Sequence, residues 1–391
     1  MRILLTSDVY KPTTNGVVTS LVNLQQGLTQ LGHEVQILTL SESHTTYYKD
    51  GVWYLGSLNS STIYPGTRVM GTLARGPLKD LITWRPDVVH SQSEFSTFIL
   101  AKRIAHAVGA PLVHTYHTLY EDYTTYFSPN KRMGQIMAQL FSMHVLAKTD
   151  AVIAPTSKIE RLLLSYGVEK LIKVIPSGID LSKFAPTSVE DDATRHLREQ
   201  LGIPKDTQVI VYVGRLAKEK NIDELISNFS TIANNNRMLL LVGDGPERPM
   251  LEEQVRTLGL GKHVIFAGMQ KQEDIPSFYR LGTVFCSAST SETQGLTYVE
   301  ALASGVPVLC RKDDCLDDLV RNGVNGWQYR TQTEYQQYLE RLLADQELQQ
   351  RLSVEALSSS TRYDRMVFAQ SVAAVYEALV NGRANVSRIS A

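Results

Sequence analysis

The feature that most constrains this chain is an alternation of short apolar runs with longer helical patterns, which occurs in two series. Residues 18–32, for example, have helical periodicity and lie between two runs typical of buried strands. A polar, turn-rich stretch at 185–208 separates the two series. Strands that alternate with helices form parallel sheets with helices on both faces. The sequence therefore predicts an α/β protein with two βα domains in tandem.

The length of the chain also favours two domains, since 391 residues exceed one ordinary hydrophobic core. We place them at 1–185 and 186–363, and we expect a C-terminal helix at about 364–391 to pack back on the first. Ligands of such domains bind beyond the carboxyl ends of the strands, so a cleft between two facing domains is expected. The predicted strands are 2–7, 34–40, 86–93, 111–117, 150–156, 173–180, 209–215, 237–245, 263–268, 282–289 and 307–310.

Charge and cysteine content exclude several classes of protein. The formal net charge of −1 argues against a general nucleic-acid binder. The three cysteines lack CxxC spacing, which indicates reduced thiols in a cytoplasmic protein and no zinc site. The N-terminus lacks a secretory signal pattern, and no apolar run reaches the ~18 residues typical of a membrane span.

Basic residues follow the first strand of the second series. Gly214, Arg215 and Lys220 lie in the stretch "VGRLAKEKN", and Asn221 is a suitable cap for the helix that follows. Two cations beside a helix N-terminus are typical of a diphosphate site. A solvated basic loop is the alternative interpretation.

Two carboxylates flank a glycine in "SETQGLTYVEAL". Glu292 lies in the loop after the predicted strand 282–289, and Glu300 lies in the first turns of the next helix. A loop carboxylate can accept hydrogen bonds from sugar hydroxyls, and the second can bind ribose. The amides around Gly295, Leu296 and Thr297 would point at the same ligand. The alternative is an ordinary helix start with a solvated glutamate.

The first series contributes a glycine and a histidine. Gly16 lies at the first strand-to-helix turn, where a glycine lets the backbone approach a phosphate. His117 ends the predicted strand 111–117, close to Glu121 and Asp122. A plain turn glycine and a structural histidine are the alternatives. The chain has no GxGxxG sequence, which counts against a dinucleotide-binding oxidoreductase.

Taken together, these motifs resemble those of GT4-type retaining glycosyltransferases. The E-x7-E spacing of Glu292 and Glu300, "VGRLAKEKN" and "IPSGID" carry the resemblance, with Ser177 replacing the usual asparagine of the last. The resemblance covers almost the whole chain and implies the GT-B fold, two Rossmann-like domains facing a central cleft. A narrower similarity, in "HSQSEFS", "HTYHTLYEDYTTY" and "SETQGL", is to the bacterial enzymes that make monoglucosyl-diacylglycerol.

The resemblance implies an acceptor-binding first domain and a nucleotide-sugar-binding second domain. It assigns the departing diphosphate to Arg215 and Lys220, the sugar hydroxyls to Glu292, the ribose to Glu300, and the donor sugar near the reacting centre to His117. Gly16 would face the diphosphate and the acceptor. The implied nucleotide-sugar site consists of Gly16, Gly214, Arg215, Lys220, Met269, Glu292, Gly295, Leu296, Thr297 and Glu300.

The function expected from this resemblance is a retaining hexosyltransferase that moves glucose from UDP-glucose to a diacylglycerol hydroxyl at the cytosolic membrane face. No metal is required, since no DxD-type pair follows a strand, although Mg²⁺ could stimulate. The alternatives are another sugar donor or acceptor, a nucleotide-sugar epimerase and a non-catalytic nucleotide-sugar sensor. A dinucleotide-binding oxidoreductase is a further alternative, which the absence of GxGxxG disfavours.

Residues 131–148 have the pattern of an amphipathic helix with cations at its ends. We expect it to meet an anionic membrane surface on the acceptor side, with Tyr120, Lys131, Arg132 and Phe141 contributing. The alternative is a helix packed on its own domain. The predicted apolar stripe consists of Met133, Ile136, Met137, Leu140, His144 and Ala147, broadened by Phe141 and Val145.

Overall fold

The structure of the protein, a computed structural model, describes residues 1–13, 15–60, 68–71, 75–121, 130–186 and 192–389. The side chains of Lys131 and of residues 384–389 lie outside this description. The chain divides into two compact units, Met1–Ile179 with Arg365–Ala391, and Asp180–Asp364.

The first unit contains an eight-stranded sheet in the order β10-β9-β8-β7-β1-β2-β4-β3. Its pairs are parallel except for β3 with β4, and a separate antiparallel pair is formed by β5 and β6. The strands are β1 Arg2–Ser7, β2 Glu34–Leu40, β3 Tyr47–Lys49, β4 Val52–Leu55, β5 Ser57–Asn59, β6 Arg68–Met70, β7 Val88–Ser91, β8 Leu112–Thr115, β9 Ala151–Ala154 and β10 Leu171–Val174.

Helices cover both faces of this sheet, as its buried apolar strands require. The C-terminal helix packs closely on the first helix of the unit, because a Cβ added at Gly27 would lie 2.5 Å from that of Ala369. The glycine therefore permits the two helices to cross at short distance. The helices are α1 Gly16–Gln30, α2 Arg75–Trp84, α3 Ser96–Val108, α4 Lys131–Leu146, α5 Ser157–Ser165 and, after the second unit, α13 Arg365–Ile389.

The second unit contains a six-stranded parallel sheet in the order β13-β12-β11-β14-β15-β16. Apolar residues of β11 and β12 are fully buried beneath the flanking helices. Its elements are α6 Asp192–Gln200, β11 Gln208–Val213, α7 Ile222–Ser230, β12 Arg237–Val242, α8 Arg248–Thr257, β13 Val264–Gly268, α9 Ile275–Leu281, β14 Val284–Ser287, α10 Leu296–Ala303, β15 Val308–Arg311, β16 Gly326–Tyr329, α11 Gln332–Ala344 and α12 Gln346–Ser360.

Both sheets have the Rossmann-like parallel arrangement that the sequence predicts. The sequence did not predict five of the strands: β3 and β4 at one edge of the first sheet, the β5–β6 pair and β16. The strand predicted at 173–180 is also displaced, since β10 begins at Leu171 and ends at Val174. Of these strands, β3, β5 and β6 have only three residues each, too few to produce a clear periodic pattern.

Candidate functional site

The loops after β11 and β14 meet through an ion pair in the second unit. Nζ of Lys220 lies 2.6 Å from Oε1 of Glu292, and the two side chains are only 22% and 14% exposed. The two strands are neighbours in the parallel sheet, so their carboxyl ends lie side by side. Two residues that the sequence assigned to one ligand are therefore in direct contact.

Further hydrogen bonds fasten these two loops together. Nδ2 of Asn221 donates to the carbonyl of Ala288 at 3.1 Å, and Oγ of Ser291 donates to the carbonyl of Glu219 at 3.2 Å. Asn221 precedes α7 as expected, but its side chain makes no capping bond to that helix. The asparagine instead adopts a left-handed conformation, with φ of +49°, and braces the loop of Glu292.

Charge on Lys220 is retained at this position. Burial acts to lower the pKa of Lys220, but the charge and hydrogen bond of Glu292 outweigh it, and the net pKa is raised. The lysine is therefore an ammonium at neutral pH, and the carboxylate of Glu292 is its direct partner.

The turn after Glu292 requires its glycine. Gly295 has φ of +78°, and a Cβ added there would lie 2.6 Å from Cδ2 of Tyr298. It is the N-cap of α10 and supplies no side-chain cap, and the first turn of a helix leaves amides without intrahelical acceptors. The amides of Leu296 and Thr297 belong to that first turn, where negative charge and hydroxyl oxygens are favoured.

Glu300 lies one turn further along α10 and is partly buried. Oη of Tyr279, from α9, donates to its Oε2 at 2.8 Å. Burial raises the pKa of Glu300 to about 7, and the bond from Tyr279 only partly offsets this. Its protonation therefore changes close to neutral pH.

The other predicted donor-site residues occupy the same edge of the second sheet. Gly214 and Arg215 follow β11 directly, and the carbonyl of Arg215 accepts a 3.1 Å hydrogen bond from Oη of Tyr212. The Arg215 side chain is exposed. Met269 is 71% exposed and follows β13, which lies two strands from β11.

In the first unit, His117 meets a glutamine that the sequence analysis did not single out. Nε2 of His117 lies 2.7 Å from Oε1 of Gln92, which follows the neighbouring strand β7. Burial, followed by the charge of His114, lowers the pKa of His117 to about 3. The imidazole is therefore neutral at physiological pH.

A buried carboxylate cluster lies at the same edge of the first sheet. Glu94 accepts a 2.5 Å hydrogen bond from Oη of Tyr120, and its other oxygen lies 3.2 Å from Nε2 of His114. Asp8 accepts a hydrogen bond from the amide of Thr97, and burial raises the pKa of Asp8 to about 6. The signal for Glu94 and Gln92 was their position in "HSQSEFS", directly after a strand.

Gly16 is the first residue of α1, and the packing of the described residues does not demand a glycine there. Among those residues, a Cβ added at Gly16 would meet no atom within 4 Å. The helix start is capped by Asn15, whose side chain accepts from the amide of Val18 at 2.9 Å. The open space beside Gly16 allows a ligand to approach the backbone.

Helix α4 presents its apolar stripe to solvent. Met133, Ile136, Met137 and Leu140 are each 50% to 60% exposed, whereas Ala138 and Val145 are buried. Arg132 is exposed at the start of the helix. The predicted stripe is therefore not the face that packs on the domain, although Val145 lies on the packed side.

The exposed apolar surface extends beyond α4. Phe141 is partly buried, and its ring stacks on that of Phe95 with 5.5 Å between centroids and lies 5.3 Å from that of Tyr120. Phe95 is 52% exposed, and Ile99 of α3 is 47% exposed. We call the set Phe95, Ile99, Met133, Ile136, Met137 and Leu140 the apolar surface of the first unit.

Some predictions fall outside the described residues: Asp122 lies in the segment 122–129, and the side chain of Lys131 is not described. Within the described ranges, no group of three or more His, Cys, Asp or Glu side chains could hold a metal ion. In the same part of the chain, no helix is long and apolar enough to cross a membrane.

Both halves of the chain match families of glycosyltransferases. Residues 14–183 match the family described as Glycosyltransferase Family 4, and residues 193–358 match Glycosyl transferases group 1. The chain is 33% identical over 392 residues to the alpha-monoglucosyldiacylglycerol synthase of Acholeplasma laidlawii, covering 97% of this chain and 98% of that one. It is 34% identical over 334 residues to the synthase of the same name from Streptococcus pneumoniae, covering 84% and 75%.

The fold is shared with solved glycosyltransferase structures. The crystal structure of HepE from Anabaena in complex with UDP-glucose superposes with a TM-score of 0.75 at 20% identity, covering 97% of this chain and all of that one. The two parallel-sheet units have the GT-B architecture.

Proposed function

Because the chain belongs to the GT-B glycosyltransferase family that includes the alpha-monoglucosyldiacylglycerol synthases, we propose that it transfers glucose from UDP-glucose to a hydroxyl of diacylglycerol, with retention of configuration. The observation that carries the proposal is the similarity to the Acholeplasma laidlawii synthase along nearly the full length of both chains. The product would be an alpha-glucosyl diacylglycerol.

The Lys220–Glu292 pair supports a role in donor binding. A diphosphate that arrives at this edge offers Lys220 a stronger partner than one carboxylate, and a sugar offers hydroxyl donors to Glu292. The ion pair is thereby exchanged for two contacts to the same ligand. Arg215, also at the end of β11, would add a second cation.

This site would stabilise the negative charge that develops on the departing diphosphate. Lys220, Arg215 and the first-turn amides of α10 are fixed donors, and fixed donors aimed at developing charge make the largest contribution in many enzymes. Glu300 would bind ribose hydroxyls. This arrangement supplies positive charge from the protein, and we propose that no metal ion is required.

The apolar surface of the first unit supports a lipid acceptor. Six large apolar side chains are about half exposed there, and Arg132 stands beside them. Contiguous exposed apolar residues typically mark an interaction surface, and cations at its rim favour anionic lipid. We propose that this surface enters the headgroup region at the inner face of the cell membrane, where diacylglycerol resides.

The proposal is tested by incubating the protein with labelled nucleotide-sugars and total bacterial lipid, followed by separation of the lipids. The expected result is label in a monoglucosyl lipid from UDP-glucose, whose anomeric proton signal by NMR shows the alpha configuration. Label transferred only from another donor or to another acceptor would identify the alternative transferase. Conversion of the nucleotide-sugar without any acceptor would point instead to an epimerase.

A further inference from the structure

Gln92 and His117 follow neighbouring parallel strands, and their side chains meet at the carboxyl edge of the first sheet. Oε1 of Gln92 lies 2.7 Å from Nε2 of His117. An amide oxygen only accepts hydrogen bonds, so Nε2 carries the ring hydrogen. We propose that Gln92 is a positioning residue: it holds His117 in the Nε2–H tautomer, so that Nδ1 accepts a hydrogen bond from a hydroxyl of the transferred sugar.

This inference rests on the proposed function, because it places a sugar beside His117. The chemical class of the ligand group is a hydroxyl of the donor hexose. Among the described residues, Nδ1 of His117 has no hydrogen-bond partner in the structure. A ring nitrogen without a hydrogen-bond partner favours binding of a ligand that donates a hydrogen bond to it. It disfavours an analogue that lacks the donor group.

Gln92 is held rigidly enough to orient the ring. It is 2% exposed, and its backbone amide donates to the carbonyl of Thr6 in β1 at 2.7 Å. Its own Nε2 is buried without a partner among the described residues. Leaving a buried amide unpaired is unfavourable, and a methionine of similar size would avoid it. The bond from Oε1 to His117 is the contact that a glutamine supplies and a methionine does not.

The ring of His117 is neutral, so its tautomer decides which ring nitrogen donates a hydrogen bond and which accepts one. Burial and then the charge of His114 lower the pKa of His117 to about 3. A neutral imidazole has one donor nitrogen and one acceptor nitrogen, and the partner of one sets the role of the other. The titratable groups that act on this cluster are His114, which contacts Glu94, and His90, which contacts Tyr376.

Two variants at position 92 separate positioning from packing. Gln92→Met keeps the volume and removes the acceptor, and Gln92→Glu keeps an acceptor and adds a charge. Proton–nitrogen NMR of the histidine rings should show the Nε2–H tautomer of His117 in the wild-type protein and a mixture of both tautomers in Gln92→Met. Gln92→Glu should retain the Nε2–H tautomer, and its carboxylate should raise the pKa of His117.

Kinetics on the same proteins test the link to the sugar. In Gln92→Met, kcat/KM for glucose transfer should fall about tenfold, the effect of losing one well-placed hydrogen bond, while the affinity for UDP alone is unchanged. Gln92→Glu should recover activity at high pH and lose it as pH falls through the raised pKa of His117, since Nδ1 then carries a hydrogen. Gln36→Met, at a half-buried glutamine of β2, is the matched control and should behave as wild type.

An unchanged tautomer in Gln92→Met overturns the proposal, and so does unchanged kcat/KM in that variant. If Gln92→Met does not fold, failure of Gln92→Glu to retain the tautomer or to gain the pH dependence overturns it equally. A wild-type protein that transfers no glucose to diacylglycerol would refute the proposed function instead. The NMR spectra need no substrate and still decide whether Gln92 sets the tautomer.

Discussion

Nζ of Lys220 lies 2.6 Å from Oε1 of Glu292, so two residues that the sequence assigned to the donor contact each other directly. The contact joins opposite charges on two side chains that are only 22% and 14% exposed. A donor must therefore replace this contact on both sides. Because Lys220 and Glu292 contact each other, a mutation of one should change the titration and the donor contacts of the other.

Replacing Lys220 should slow transfer sharply. In Lys220→Ala, the contact to the leaving diphosphate is lost, which should raise the barrier by about 2–4 kcal/mol. Arg215→Ala should also lower turnover, and Lys79→Ala, an exposed lysine of α2, is the matched control. Steady-state rates of glucose transfer measure the effect. Wild-type turnover in both Arg215→Ala and Lys220→Ala would exclude this loop as the diphosphate site.

Replacing Glu292 should alter the titration of Lys220 as well as donor use. The carboxylate is what raises the pKa of Lys220, so in Glu292→Gln burial remains and the pKa falls. In the wild type, the raised pKa stabilises the fold at all pH values below the ordinary lysine pKa of 10.5, and this contribution is lost as pH rises through the higher folded value.

The pH profile of kcat/KM provides the measurement. In Glu292→Gln, the decline in activity at alkaline pH should move to lower pH, and the affinity for UDP-glucose should weaken while the circular dichroism spectrum stays native. Identical profiles, together with unchanged donor affinity, would show Glu292 to be no more than part of a helix start.

UDP-glucose binding should depend on pH through Glu300. Its pKa is raised from the ordinary 4.5 to about 7, so the folded state favours the neutral acid and loses stability as pH rises through this interval. A charged carboxylate accepts ribose hydroxyls more strongly than a neutral acid does. Calorimetric affinity for UDP-glucose, whose diphosphate diester does not titrate near neutral pH, should therefore increase as pH rises through 7, and Glu300→Gln should remove the dependence. A pH-dependent affinity that persists in Glu300→Gln would assign it to another group.

The strand pattern revealed the scaffold of the site, because buried apolar runs are local signals. β1 and β2 coincide with the predicted strands 2–7 and 34–40. The bond between Gln92 and His117 was not predictable, since it depends on which strands become neighbours. The stripe of α4 was visible in the sequence, but its exposure depends on which face meets the sheet. Phe95 and Ile99 join that surface only through the fold.

Chelation should leave activity in place if the protein alone neutralises the diphosphate. With EDTA present, transfer from UDP-glucose should continue at a substantial fraction of the untreated rate, because Arg215, Lys220 and the α10 amides are fixed donors. The rate is compared before and after adding back Mg²⁺, Mn²⁺ or Ca²⁺. Complete loss, restored by one specific ion, would contradict the metal-free proposal.

Membrane binding should depend on the exposed stripe of α4 and not on its packed side. Met137 and Leu140 are 51% and 60% exposed, so the double change Met137→Asp with Leu140→Asp should weaken sedimentation with anionic liposomes and slow lipid glucosylation without unfolding the protein. Phe141→Asp should instead lower the melting temperature, because Phe141 packs on Phe95 and Tyr120.

The cations at the start of α4 allow electrostatic attraction to be measured separately from apolar insertion. Each basic residue near an anionic surface contributes roughly 1 kcal/mol, so Lys131→Glu with Arg132→Glu should reduce liposome binding, and more so at low salt. UDP-glucose affinity should be unchanged in this variant, since these residues belong to the first unit and the predicted donor residues lie mainly in the second.

The control is Lys79→Glu with Lys102→Glu, which alters the net charge by the same amount at exposed positions of α2 and α3. If both pairs reduce binding equally, the attraction reflects net charge alone. If neither pair nor the Met137 and Leu140 change has an effect, the membrane contacts another part of the protein.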